Sequence, residues 1–166
     1  TIEQQGPLRV SVRIKGVHSK RGGTLFCPYI LRLDFFAGKS DIKIQHTFIF
    51  DQSPHDVELS SIGMKLPLRL GNNLTAIVGG SEKAHFASNW RSFGFLQRDA
   101  SHYEVFRNEE VMAAGGKTRG WAGLQGDEGS AAAVIKNCRQ EYPKGFVIDE
   151  QGIDVQVWPE SYEENL

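Results

Sequence analysis

The chain has 166 residues, and its 19 Lys and Arg against 20 Asp and Glu give a formal net charge of −1. This balance argues against a nucleic-acid or anionic-membrane partner that is held by bulk charge. No apolar run approaches the roughly 20 residues that a membrane-spanning helix needs, so the sequence predicts no such span. A hydrophobic fraction of 40% and a charged fraction of 23% are ordinary for a globular domain.

The two ends of the chain predict a piece of a longer protein. Thr1 opens directly into Ile2-Glu3-Gln4-Gln5, with neither an initiator Met nor a signal peptide. We therefore expect either a mature product or a domain excised from a multidomain chain, and we favour the second. We expect the acidic residues 160–166 to be a linker or a tail. The sequence does not indicate a compartment.

Cys27 and Cys138 are the two cysteines of the chain. They form one disulfide if the chain is exported, or else they are two buried thiols. We favour the buried thiols, because a free Cys behaves as a small apolar residue.

In chain order, residues 8–15 alternate between apolar and polar side chains and predict a strand with one wet face. Residues 16–23 are rich in Gly and basic side chains and are predicted to form a loop. Two further alternating runs, 25–36 and 42–50, flank a short break that contains Gly38. A Gly-containing break of this length between two such runs predicts a β-hairpin, which we take as the centre of an antiparallel sheet.

After the hairpin, residues 57–70 return to an extended pattern. Pro67 cannot donate a hydrogen bond to a sheet, so this segment is predicted to be an edge strand or to carry a bulge. The other segments predicted to be strands are 74–78, 102–106, 120–124, 131–138, 145–149 and 153–158. Residues 81–89 are predicted to be a long loop, and residues 109–116 either a loop or one turn of helix.

About ten short strands without a long helix predict an all-β fold, an antiparallel β-sandwich of two layers and of the supersandwich type. We expect one domain over residues 1–166.

Four stretches follow one another in an informative order. They are 6–14 (GPLRVSVRI), 41–51 together with 61–64, 93–103 (FGFLQRDASHY), and 134–159 with its RQEYPKG and VQVWP segments. Together they resemble the YetA-like family, which includes the exo-acting rhamnogalacturonan lyases. No single stretch is diagnostic, but the set covers nearly the whole chain.

The resemblance implies a parent chain of three parts, an N-terminal β-barrel, a central β-sandwich and a C-terminal α/α toroid that carries the lyase chemistry. This sequence matches only the central sandwich. The resemblance therefore implies a non-catalytic domain without a cofactor, inside a parent that degrades pectin by β-elimination. Its implied partners are the neighbouring domains and, as a further candidate, an acidic oligosaccharide.

No residue is predicted to be catalytic, and none to bind a metal. Sugar contact is expected from aromatic rings that stack on a sugar and from basic groups that pair with uronate carboxylates. The candidates are Trp90, Arg98, His102, Lys117, Arg119, Arg139 and Tyr142. Trp121 and Trp158 lie within strand patterns and are expected to be buried in the sandwich.

Other polar residues have a structural interpretation that we favour. His46 shares a face with apolar residues and is expected to be a core histidine rather than a catalyst. Asp99 is expected to cap a turn, with His102 at the surface. Asp51, His55, Asp56 and Glu58 are expected to form a charged turn rather than a calcium loop.

Two alternative functions stay open. One is an independent binding module for acidic pectic sugars. The other is a self-sufficient enzyme on a face of the sandwich, which requires two or more of a set of residues to converge within hydrogen-bond reach. The set is His46, His85, Arg98, His102 and Arg139.

Overall fold

The computed structural model describes residues 1–19, 23–53, 55 and 57–160, and the predicted tail beyond residue 160 lies outside this part. Within it the fold is all-β, with fourteen strands and no α-helix, which confirms the predicted class. All strand pairs are antiparallel. The chain divides into two compact units, Thr1–Glu58 and a second that begins at Leu59. The prediction of a single domain stays a prediction.

Unit 1 is a four-stranded sheet in the order β1-β2-β3-β4. Its strands are β1 (Ile2–Gln5), β2 (Arg9–Ser19), β3 (Leu25–Phe36) and β4 (Ile42–Phe48). The predicted hairpin is confirmed as β3 and β4, with β3 inside the sheet and β4 at its edge. The loop predicted from residue 16 is wrong over 16–19, because these residues continue β2 and pair with the start of β3.

Unit 2 contains two sheets. The six-stranded sheet has the order β10-β9-β8-β13-β14-β5, and the four-stranded sheet has the order β12-β11-β6-β7. The strands are β5 (Ile62–Pro67), β6 (Thr75–Gly79), β7 (Ala84–Ala87), β8 (Phe93–Asp99), β9 (His102–Arg107), β10 (Glu110–Gly115), β11 (Trp121–Gln125), β12 (Ser130–Val134), β13 (Lys144–Asp149) and β14 (Gly152–Trp158).

The hydrophobic core of unit 2 lies between these two sheets. The six-stranded sheet contributes large side chains that are at most 1% exposed, among them Phe93, Phe95, Phe146, Ile148 and Ile153. The four-stranded sheet contributes smaller ones, among them Ala76, Val78, Ala87 and Ala122. Since all of them belong to one buried cluster, the two sheets are the layers of a sandwich, as predicted.

Four strands are not predicted from the sequence: three of them are at sheet edges, and the fourth, β8, lies inside the six-stranded sheet. β1 ends the sheet of unit 1, β7 ends the four-stranded sheet, and β10 ends the six-stranded sheet. The loop predicted at 81–89 and the loop or helical turn predicted at 109–116 are therefore wrong. An edge strand has one neighbour, so it needs little of the apolar alternation that reveals a strand in a sequence.

Other boundaries agree with the pattern in part. β5 is an edge strand, as Pro67 predicts, and this proline occupies its last position. The strand predicted at 131–138 ends at Val134, because the chain then turns about Asn137. The backbone of Asn137 has a φ of 56°, and its carbonyl oxygen accepts the N–H groups of Gln140 and Glu141.

A buried amide fixes one end of the six-stranded sheet. Gln97 on β8 is 0% exposed. Its Nε2 lies 2.7 Å from the carbonyl oxygen of Asp99 and 3.2 Å from those of His102 and Gly116. Its Oε1 accepts the backbone N–H of Thr118 at 2.9 Å. One side chain thus holds the β8–β9 turn and the segment that follows β10.

The same network joins the two sheets. The hydroxyl of Thr118 donates to the carbonyl oxygen of Gly79, on β6, at 2.5 Å. The backbone N–H of Ser81 donates to the hydroxyl of Tyr103, on β9, at 3.1 Å. Because Gln97 and Tyr103 belong to the six-stranded sheet and Gly79 to the four-stranded sheet, these bonds hold both layers together at one end.

We predict that Gln97→Leu destabilises the protein by about 3 kcal/mol. The leucine fills the space but leaves buried carbonyl oxygens and the N–H of Thr118 without a partner, and each such group costs about 1–3 kcal/mol. Urea unfolding measures the change. Gln125→Leu, at an exposed glutamine that ends β11, is the matched control, with an expected change within about 0.5 kcal/mol. Equal losses in the two variants would contradict this role of the amide.

Candidate functional site

Strand register brings several loops to one end of unit 2. Lys144, the first residue of β13, pairs with Gln97 near the end of β8. Gly115, the last residue of β10, pairs with Tyr103 near the start of β9. Trp121 begins β11 and pairs with Val134 at the end of β12. We call this the basic end of the sandwich, formed by the loops 80–83, 99–102, 116–120 and 135–143.

Six of the seven candidate sugar-binding residues lie at or beside the basic end. They are Arg98, His102, Lys117, Arg119, Arg139 and Tyr142. The seventh, Trp90, precedes β8 at the opposite end of the sandwich and packs, half-buried, against the core. Trp90 therefore does not share a surface with the other six.

Cations outnumber carboxylates on the loops of the basic end. The cations are Lys83, Lys117, Arg119, Lys136 and Arg139, and the carboxylates are Glu82, Asp99 and Glu141. Asp99 and Glu141 already accept hydrogen bonds within their own turns, from Ser101 and Asn137. Within the described residues, none of the five cations forms an ion pair.

The segment 117–119 is held rigidly. Thr118 is buried and bonded to both sheets, while Lys117 and Arg119 on either side of it are exposed. The backbone N–H of Arg119 donates to the carbonyl oxygen of Gly79 at 3.2 Å. The guanidinium of Arg119 reaches the carbonyl oxygen of Glu82 at 3.4 Å. The two cations are thus presented from a fixed backbone.

Arg98 and His102 meet at a third residue, Glu104. The Arg98 Nε lies 2.7 Å from one carboxylate oxygen of Glu104, and the His102 Nε2 lies 3.3 Å from the other. These side chains alternate with the buried residues of β8 and β9, so they lie on the outer face of the six-stranded sheet. As predicted, Asp99 caps the adjacent turn by accepting the N–H and hydroxyl of Ser101 at 2.7 and 2.9 Å.

The charges around Glu104 set its ionisation. Burial on its own raises the pKa of Glu104, but hydrogen bonds and positive charge from Arg98 and His102 outweigh burial, and the net pKa is lowered. Glu104 is therefore ionised at neutral pH and holds Arg98 in place. A self-sufficient enzyme requires two or more of His46, His85, Arg98, His102 and Arg139 to converge. Among these, the described hydrogen bonds bring together Arg98 and His102, through Glu104.

The loop 135–143 contributes Arg139, which is half-buried, and Tyr142, which is 44% exposed. The neighbouring Cys138 belongs to the buried core, and burial raises its pKa to about 11, against an opposing effect of the nearby Lys144. A thiol with this pKa stays protonated and unreactive at neutral pH. Cys27 and Cys138 are both free and buried, which confirms the favoured prediction.

The remaining polar candidates lie in unit 1. His46 is half-buried, and its ring centroid lies 6.1 Å from that of Tyr29. Burial, and then the charge of His18, lower the pKa of His46. Asp51 accepts hydrogen bonds from Gln52 and from the N–H of Cys27, and Asp56 lies outside the described residues. Across the part of the chain that is described, no three His, Cys, Asp or Glu side chains are placed to hold a metal ion.

The structure also shows a group of polar residues that the sequence does not predict. A depression on the outer face of the six-stranded sheet is lined by Lys65, Asp154, Gln156 and Trp158. The expected burial of Trp158 is wrong, because this side chain is 39% exposed. The alternation of Asp154 and Gln156 with the buried Ile153 and Val155 is the signal that could have placed them on one outer face.

The fold defines this chain as antiparallel β-sheet structure of the sandwich class. Residues 1–76 match the family described as "PcRGLX-like protein central beta sandwich domain". The chain is also 36% identical over 70 residues to the uncharacterized protein YetA of Bacillus subtilis (strain 168). No solved structure shows significant similarity to the chain.

Over the matched part of the chain, these matches confirm the predicted resemblance to YetA and to the PcRGLX-like central β-sandwich. The family match ends within β6, so the stretches 93–103 and 134–159 and all of the loops of the basic end lie beyond it. The residues aligned with YetA make up 42% of this chain and 8% of YetA. Among the described residues, no helix is long and apolar enough to cross a membrane.

We predict that Glu104→Gln makes the stability of the protein less sensitive to acid. The pKa of Glu104 is lowered in the folded state, so its ion pairs stabilise the fold above the unfolded pKa of about 4.3 and are lost as pH falls through the folded pKa. The contribution is expected to be below about 1 kcal/mol, since the pair is partly solvated.

Urea unfolding at a series of pH values from neutral to acid measures this difference. The control is Glu110→Gln, at an exposed carboxylate on β10 that forms no ion pair with a described residue. If the Glu104 variant and the wild type lose stability in parallel on acidification, the ion pairs with Arg98 and His102 contribute nothing.

Proposed function

We propose that this chain is a non-catalytic scaffold within a larger YetA-like protein, and that its basic end lends side chains to a site for an acidic saccharide. The match to a central β-sandwich family supports the scaffold role. The saccharide role is based on one observation, the group of cations on the loops of the basic end. The resemblance suggests that the parent is a polysaccharide lyase acting on rhamnogalacturonan by β-elimination, with that chemistry in a neighbouring domain.

The chemistry of the basic end suits a uronate. Arg119 and Arg139 are able to bond a carboxylate through two parallel N–H groups, while Lys117 adds a point charge. Tyr142 is exposed beside them and offers a flat face to the C–H groups of a sugar ring. Since the backbone that carries Lys117 and Arg119 is tied to both sheets, little backbone entropy is lost on binding.

The scaffold role is supported by one face of the sheet in unit 1. Register aligns apolar residues across β2, β3 and β4 in two rows, Val10–Phe35–Ile42 and Val12–Leu33–Ile44. Phe35, Ile42 and Ile44 are 40%, 50% and 37% exposed. We call this the apolar face. Exposed apolar surface of this kind marks a place where another body of protein packs, and we assign it to a neighbouring domain of the parent.

The other face of the same sheet is polar and internally satisfied. Glu3 forms ion pairs with Arg13 and Arg32, each at 2.8 Å. The hydroxyl of Ser11 donates to Asp34, and both residues are buried. Because this face has its own partners, the apolar face is the one that a neighbouring domain would cover.

For the basic end, we predict that the chain binds an oligogalacturonate with a dissociation constant on the order of 1–10 mM. In the double variant Lys117→Ala/Arg139→Ala, binding weakens about tenfold or more, since two charge-assisted contacts are lost. NMR titration measures the dissociation constants of the wild type and of the double variant. The wild-type affinity should also fall with added salt.

The control is Arg91→Ala/Arg107→Ala, which removes two exposed arginines near the opposite end and should leave binding unchanged. If the double variant bound oligogalacturonate with the same dissociation constant as the wild type, the saccharide role would be contradicted. Tight binding by the isolated chain, at micromolar concentration, would favour the independent binding module instead.

For the scaffold, we predict that Ile44→Lys reduces the binding of a hydrophobic dye by the isolated chain and changes its stability by less than about 1 kcal/mol. In the full-length protein, the same change should loosen the contact between domains and expose the linkers to protease. Thr47→Lys, on the polar face of β4, is the control. A loss above about 2 kcal/mol in the isolated chain would show that the face is already part of its core.

A further inference from the structure

The depression on the outer face of the six-stranded sheet lies between β5 and β14. Its volume is about 260 Å³, and Ser61, Ile62, Gly63, Lys65, Asp154, Gln156 and Trp158 line it. Pockets for drug-sized ligands measure roughly 300–1,000 Å³, so this one suits a single small ring. All of its lining residues belong to unit 2 and come from two hydrogen-bonded strands or the residue preceding β5.

Two polar side chains of the depression are available to a ligand. Within the described residues, no hydrogen bond or ion pair involves the side chain of Asp154 or Gln156. Asp154 is nevertheless shielded enough that burial raises its pKa, while the charge of Lys65 acts in the opposite direction. A carboxylate and a carboxamide two residues apart on one strand provide acceptors and donors on the same face.

Lys65 is held in place beside them. Its Nζ lies 2.8 Å from an oxygen of Asp149 and 3.1 Å from Oε1 of Gln151. An ammonium group has three donors, so one remains for a ligand. With Asp149 and Asp154 against the single Lys65, the local charge is negative, and this disfavours an anionic ligand.

Gly63 keeps the floor of the depression open. A Cβ at this position would lie 3.3 Å from Oδ1 of Asp154 and 3.0 Å from the carbonyl oxygen of Val155. Any side chain at residue 63 would therefore cover the carboxylate. Trp158, 39% exposed, supplies an aromatic surface at the same depression.

We infer that this depression binds one uncharged sugar ring. The Asp154 carboxylate accepts hydroxyl protons of the ring, Gln156 and Lys65 donate to its oxygens, and the indole of Trp158 packs against its C–H face. The negative local charge distinguishes this ligand from the acidic saccharide assigned to the basic end. The inference does not depend on the basic end, since no residue is shared between the two surfaces.

The test is an NMR titration of the full chain with methyl galactoside and methyl glucoside, with galacturonate as the charged comparison. Saturable shifts confined to the amides of residues 61–65 and 152–158 are expected with at least one neutral sugar, and weaker shifts there with galacturonate. Trp158→Ala should weaken binding about tenfold, and Asp154→Asn, which keeps the shape of the side chain, about fivefold.

Two controls establish whether binding is specific to the depression. Phe86→Ala removes an aromatic side chain that is 63% exposed on the four-stranded sheet, and it should leave neutral-sugar binding unchanged. Lys117→Ala/Arg139→Ala should also leave it unchanged, so a failure of the basic end and a failure of this site give different results. Absence of saturable shifts up to about 50 mM sugar, or shifts that persist in Asp154→Asn at full strength, would overturn the inference.

Discussion

The buried amide of Gln97 is the constraint on which the basic end of the sandwich depends. A side chain with two donors and one acceptor oxygen is fully enclosed, so each of its polar atoms must have a partner inside the protein. The partners are backbone groups of two loops, and one of those loops is bonded in turn to the second sheet through Thr118. The core holds the two layers together by apolar burial, but this network determines where the loops lie.

The two sheets contribute side chains of different size to the core. The six-stranded sheet fills the core mainly with Phe and Ile, while the four-stranded sheet contributes mainly Ala and Val, together with Leu124. Phe95 and Phe146 are cross-strand neighbours on one sheet, with ring centroids 5.4 Å apart, so much of the aromatic contact is within a layer. Small residues opposite large ones allow the two layers to pack closely. The polar and charged side chains of unit 2 therefore lie mainly on the loops and on the outer faces of the sheets.

The sequence predicts the parts of this structure that are governed by alternation. The hairpin of residues 25–50, most of the inner strands of the sandwich and the edge position of β5 follow from period-two patterns and from Pro67. The strands β1, β7 and β10 do not follow, because edge pairing is decided by the neighbouring strand rather than by their own side chains. The inner strand β8 does not follow either, because its first five residues are all buried and do not alternate. The division of the chain between Glu58 and Leu59 directly follows the polar stretch 51–58, which the sequence predicts only as a charged turn and not as a boundary between two units.

The candidate site is predictable as a set of residue types but not as a surface. Arg98, Lys117 and the loop with Arg139 and Tyr142 are separate in sequence, and only the strand register shows that they share one end while Trp90 does not. The exposure of Trp158 could have been predicted, because Trp158 alternates in phase with Asp154 and Gln156, but its large apolar ring on its own indicates burial. Glu104 is absent from the predicted residues, although its distance of two residues from His102 puts both on one side of β9.

The burial of Thr118 between two exposed cations has a consequence for how this loop tolerates change in length. Lys117 and Arg119 face outwards only because the residue between them is anchored inwards by its hydroxyl and its amide. Insertion or deletion of one residue between Gly116 and Gly120 would shift the anchor and turn a charged side chain towards the interior. Homologous chains that keep this hydroxyl anchor should therefore vary the identity of the flanking residues far more readily than their number.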